Sequence, residues 1–78
     1  MPTVLHDGRY RFFFYAGDRG EPRHVHIESG EKTAKFWLEP VRFHRSSGFN
    51  RAEINNIQQL VLRHCSRLKR SWDEYFAG

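Results

Sequence analysis

A chain of 78 residues with a net charge of +4 and a calculated pI near 9.7 has the size of one domain, 1–78, and permits an anionic partner without requiring one. The single cysteine, Cys65, excludes an internal disulfide and fits a reducing compartment. No run approaches the roughly 20 apolar residues of a membrane span, and residues 2–7 lack the basic start and apolar stretch of a secretory leader, so a cytoplasmic protein is expected.

Residues 1–8 read as a short extended lead-in, with Val4 and Leu5 as pairing residues and Asp7-Gly8 as a turn. Residues 9–16, RYRFFFYA, are dense in aromatics and stop at Gly17, which predicts a strand. Gly17-Asp18-Arg19-Gly20 is a turn, and Pro22 restricts Glu21 to extended geometry. Residues 23–28 alternate as a second strand, Ser29-Gly30 turns, and residues 32–39 form a third. Pro40 has no N–H for a ladder and marks a bend or edge. Residues 41–44 are a short fourth strand and residues 45–48 a loop.

The start of the helical half is the strongest local signal. Asn50 is a good N-cap, Glu53 stands three residues on as a capping box requires, and Phe49 and Ile54 have hydrophobic-staple spacing. Apolar residues then recur at Ile54, Ile57, Val61, Cys65, Leu68 and Trp72. One unbroken helix over residues 51–76 would be about 39 Å long, more than a domain of this size spans, so a break near residues 64–66 is predicted, with Ser66 as a second N-cap. Cys65 lies on the apolar stripe as a buried thiol. His64 reads as a helix-end residue and His6 as a surface one. Arg63, Arg67, Lys69 and Arg70 form a basic run that reads as a solvated helix face, the alternative being a nucleic-acid or partner surface. The fold class expected is α+β: a small antiparallel sheet of three to four strands with two C-terminal helices packed on one face.

Strand alternation sorts the side chains. Tyr10, Phe12, Phe14, Val25, Ile27, Ala34, Phe36, Leu38, Val41 and Phe43 fall on one, apolar face, beneath the helices. Arg11, Phe13, Tyr15, His24, His26, Glu28, Lys35, Trp37, Glu39, Arg42 and His44 fall on the other, pointing away from the helices. Too few residues remain to cover it, so this second face should be open, or covered by another chain or a second copy of this one.

The second face supports three chemical readings. His24 and His26, at i and i+2 on a strand, project the same way and can share a divalent transition metal, with Glu39 or Glu28 as third ligand. The same pair can act as catalytic general acid and base on RNA, with Arg11, Lys35 or Arg42 on the phosphate. Or Phe13, Tyr15 and Trp37 stack bases while Arg11, Lys35 and Arg42 hold phosphates, without catalysis. Against all three stands an ordinary protein interface built from the same aromatics. No cofactor is demanded by the sequence, and it carries no glycine-rich phosphate loop, nucleophile elbow or paired-cysteine metal motif.

The segments RYRFFFYA, GEPRHVHIE, AKFWLEPV, GFN and WDEYF together resemble a family of small bacterial proteins, the domain-of-unknown-function family four-one-six-zero. The resemblance covers nearly the whole chain. That family usually has a second proline where this chain has Arg23, so a cation replaces a backbone rigidifier beside the histidine pair. The resemblance implies half of a two-gene module of toxin–antitoxin type, beside another small protein. Two functions follow as expectations: a toxin-like, RNA-directed protein working through the second face, or a non-catalytic interaction module pairing that face with its cognate protein.

Overall fold

The computed structural model describes residues 3–77. Five antiparallel strands, β1 (Thr3–Asp7), β2 (Tyr10–Phe13), β3 (His24–Ser29), β4 (Lys32–Leu38) and β5 (Val41–Ser47), lie in sequence order across one sheet. Helices α1 (Arg51–Arg63) and α2 (Cys65–Phe76) follow, giving the expected α+β class. None of the described helices is long and apolar enough to cross a membrane.

The sheet has one more strand than expected at one edge and a longer strand at the other. The described part of the lead-in is a strand, with Leu5 opposite Phe12 and Asp7 opposite Tyr10; residues 1 and 2 lie outside the described residues. Leu5 is buried in the core, which ties this edge to the domain. At the other edge β5 runs on to Ser47, opposite Thr33, through residues expected to be loop. The register slips between Lys35 and Phe36, where β5 carries a bulge: Phe36 faces Phe43 but Lys35 faces Arg45. An extra residue in one strand reverses the alternation beyond it. The strand expected over residues 9–16 is shorter, ending at Phe13, because the chain then turns as a 3-10 helix, Ala16–Gly20.

The apolar face packs as alternation predicts. Phe12, Val25, Ile27 and Phe36 have no exposed surface and meet Ile57 and Val61 of α1 and Leu68 and Trp72 of α2. Side chains buried to that degree contribute about 1.5–3 kcal/mol each. Phe43 is an exception. It has the right face but remains 39% exposed on the edge strand, beside a shallow groove with Ile54 and Gln58.

The helix start is as the sequence indicates. The Glu53 amide donates to Asn50 Oδ1 at 2.8 Å and the Asn50 amide to Glu53 Oε1 at 3.0 Å, while Phe49 and Ile54 both pack on the core. Gly48 precedes this cap at φ +94°, and a Cβ there would lie 2.9 Å from Lys32 Cγ, so both backbone shape and space call for glycine. The helices break where expected, but His64 and not Ser66 occupies the joint, and without a side-chain cap. The His64 ring instead reaches Asp7 of β1, Nε2 to Oδ2 2.8 Å, tying the joint to the sheet. Ser66 lies exposed inside α2. Cys65 is half-buried, its thiol donating to the Leu38 carbonyl at 3.5 Å. Of the basic run, Arg63, Arg67 and Arg70 are exposed.

Candidate functional site

The second face is only partly open. Phe14 packs in the core against Trp72, but residues 15–22 fold back over part of the second face, where His24 is 0% exposed, Phe13 1% and Lys35 7%. The reason lies in Asp18. Its backbone amide donates to the Tyr15 carbonyl (3.0 Å) and its carboxylate Oδ2 accepts the Tyr15 amide (2.9 Å), closing the turn on itself. Short acids favour such local side-chain-to-backbone bonds. The turn thereby carries Asp18, itself buried, onto the histidine pair.

His24 and His26 share a side of the sheet, with ring centroids 5.1 Å apart. Asp18 Oδ2 lies 3.1 Å from His24 Nε2 and 3.0 Å from His26 Nε2. His24 Nδ1 lies 2.9 Å from the Pro22 carbonyl. His24 was expected to point away from the helices, yet its ring lies 5.0 Å from Trp72 of α2 as well as 5.6 Å from Trp37. His26 is stacked on Phe13 (5.5 Å) and meets Tyr15 edge-on (4.6 Å). Burial among these rings lowers the His26 pKa from its usual value; the Asp18 carboxylate works against that shift and His24 adds to it.

The third carboxylate differs from the one spacing suggested. Glu39 turns away and pairs with Arg23 at 2.9 Å, and Glu28 pairs with Arg11 at 2.7 Å. Among the described residues, Asp18, His24 and His26 form the one cluster of potential metal ligands, their ligand atoms all within 4.8 Å of one another. Arg23 also holds Asp73 of α2 at 2.8 Å, and that carboxylate raises its pKa further. The cation thus fastens the start of β3 to α2.

The other expected site residues divide. Arg11 lies over the Phe13 ring at 4.2 Å and is committed to Glu28. Lys35 lies over Trp37 at 4.9 Å and donates to Glu21 at 2.7 Å, an ion pair that holds the Glu21 carboxyl below its usual range. Trp37 is half-buried beside His44. Arg42 is exposed opposite Trp37. Of the three rings expected to stack bases, Phe13 is buried, Trp37 half-buried and Tyr15, 42% exposed, the most open.

What this face does offer is a cleft of about 350 Å³ lined by Phe13, Tyr15, His26, Lys35, Arg45 and Ser46. Its size is at the lower end for small-ligand sites. Arg45 enters it because of the β5 bulge. Strict alternation from Arg42 would send Arg45 to the helix side, so no period in the sequence marks it. His24 has no exposed surface and His26 alone of the pair lines the cleft, so only one imidazole can meet a ligand there.

The family model described as Domain of unknown function (DUF4160) matches residues 10–73. No curated protein and no solved structure matches the chain.

Proposed function

We propose that this chain, which belongs to the DUF4160 family, is the RNA-directed, toxin-like half of a two-gene module, and that it binds single-stranded RNA one nucleotide at a time. The observation that carries this reading is the cleft: one exposed aromatic ring at Tyr15, the Arg45 guanidinium with no carboxylate committed to it among the described residues, and the Ser46 hydroxyl beside them. A base can stack on Tyr15 while the adjoining phosphate meets Arg45. Lys35 contributes less than its charge suggests, because Glu21 neutralises it. Titration of a fluorescent single-stranded RNA at rising salt tests the reading. Binding should weaken steeply with salt, and Arg45→Ala should reduce the slope of log affinity against log salt by about 0.7, the share of one phosphate contact. No binding at low salt refutes it.

One observation favours a second reading, the interaction module. Strand β5 is an edge of the sheet and exposes Phe43, leaving a row of backbone groups and an apolar side chain for a strand from the cognate small protein. Co-purification with the product of the adjacent gene, lost in Phe43→Asp, distinguishes it from the RNA reading.

A further inference from the structure

We propose that Asp18, His24 and His26 bind a single divalent transition ion of the class of zinc, iron(II) or cobalt(II). The inference starts from one buried atom. The Pro22 carbonyl can only accept a hydrogen bond, so His24 Nδ1, 2.9 Å away, carries a proton. In the neutral ring Nε2 then presents a lone pair. That Nε2 is fully buried and has no hydrogen-bond partner. Its nearest polar neighbour is Asp18 Oδ2, 3.1 Å away but off the direction a hydrogen bond requires. A lone pair facing a carboxylate with water excluded is unfavourable. A cation shared between them removes the conflict and gives His24 Nε2 a partner.

The surroundings match what a metal needs. A ligating histidine almost always donates its other ring N–H to a carbonyl or carboxylate, which fixes the tautomer, and His24 does so to Pro22. A ligating carboxylate is itself hydrogen-bonded, and Asp18 accepts the Tyr15 amide. Both rings are wedged: His24 against Trp37 and Trp72, His26 against Phe13 and Tyr15. Two atoms each about 2.1 Å from one ion lie at most about 4.2 Å apart, and the Asp18–His24 and Asp18–His26 separations of 3.1 and 3.0 Å fall inside that limit. Two imidazoles and one carboxylate select borderline transition ions over magnesium and calcium, which prefer oxygen alone. Three protein ligands leave a coordination position for water or a bound ligand. His26 both ligates and lines the cleft, so the ion adjoins the proposed RNA site without depending on it.

Metal-stripped protein titrated with cobalt(II), then with zinc as competitor, tests the assignment in the absence of RNA. One equivalent should bind, with visible cobalt absorption that zinc abolishes and with quenching of Trp37 and Trp72 fluorescence. Asp18→Asn, which keeps the shape of the side chain, should weaken binding by about 10-fold or more, and so should His26→Gln, while His44→Ala should leave it unchanged. Because a centre variant can lose its fold, nitrogen spectra of the intact protein give an independent readout: zinc should move the Nε2 signals of His24 and His26 and spare His6. No binding by the intact protein, unchanged affinity in both centre variants, or zinc shifts confined to other histidines overturns the proposal.

Discussion

The two faces of the sheet are closed by different means. Beneath the helices, apolar side chains such as Phe36 and Ile57 fill the space, and the closure is a broad hydrophobic contact. On the opposite face, residues 15–22 close over Phe13, His24 and Lys35 with a few polar bonds centred on Asp18 and Glu21. The first kind of closure tolerates change in shape if volume is kept. The second depends on individual atoms, because each unpaired polar group under it costs its own desolvation. The difference explains how so small a domain keeps imidazoles and an ammonium out of water with only one short 3-10 turn and the Trp72 ring of α2 over them.

The sharpest test of this contrast compares phenylalanines from the two faces. Phe36→Ala should destabilise by about 3–5 kcal/mol, the usual range for a cavity in a core. Phe13→Ala, equally buried, should cost less, near the lower end of that range at about 3 kcal/mol, because the adjoining cleft lets water reach the hole. Equal losses in urea denaturation would show that the polar face is packed like the helix face. Next in size, Asp18→Ala in metal-free protein leaves the Tyr15 amide and His26 Nε2 without their shared acceptor and should cost about 1–3 kcal/mol. If urea midpoints are unchanged, the turn is not what closes the face.

The smallest expected effect concerns the helix start that supports the apolar face. Asn50→Ala should cost about 1 kcal/mol. Its partner Glu53 adds a pH dependence. The Asn50 amide, and secondarily Lys32, hold the Glu53 carboxyl below its usual value. A lowered folded value means the contribution is complete above the unfolded carboxyl value of about 4.3 and is lost as pH falls through the folded one. Acidification should therefore destabilise the parent more than Glu53→Gln. Parallel stability curves for the two proteins would contradict the capping box.

Much of this was legible in the sequence where periods are unbroken. The β3–β4 hairpin contains no bulge, so a period of two correctly grouped His24, His26, Lys35 and Trp37 on one side. The box Asn50–Glu53 is a local signature and needs no tertiary information. Asp18 was hidden because a Gly-Asp-Arg-Gly turn has no periodicity, and its direction over the sheet depends on a hydrogen bond to Tyr15. Arg45 was hidden by a bulge, and the extension of β5 by the polar run Arg45-Ser46-Ser47, whose pairing with β4 is backbone bonding that leaves no apolar pattern. The joint at His64 depends on Asp7, 57 residues distant, a contact no local cap signal encodes.

The polar closure is one continuous stretch of backbone, and that has a kinetic consequence. Asp18, Glu21 and Pro22 lie within five residues of one another, so the carboxylate at His26, the counter-ion of Lys35 and the carbonyl at His24 are all carried by that stretch. The amide proton of Tyr15 is bonded to the Asp18 carboxylate and exchanges with deuterated solvent when Asp18 leaves it. Its exchange rate is a clock for opening of the centre, and an ion that bridges Asp18 to the histidines would slow that clock while leaving amides on the far edge of the sheet at their own pace.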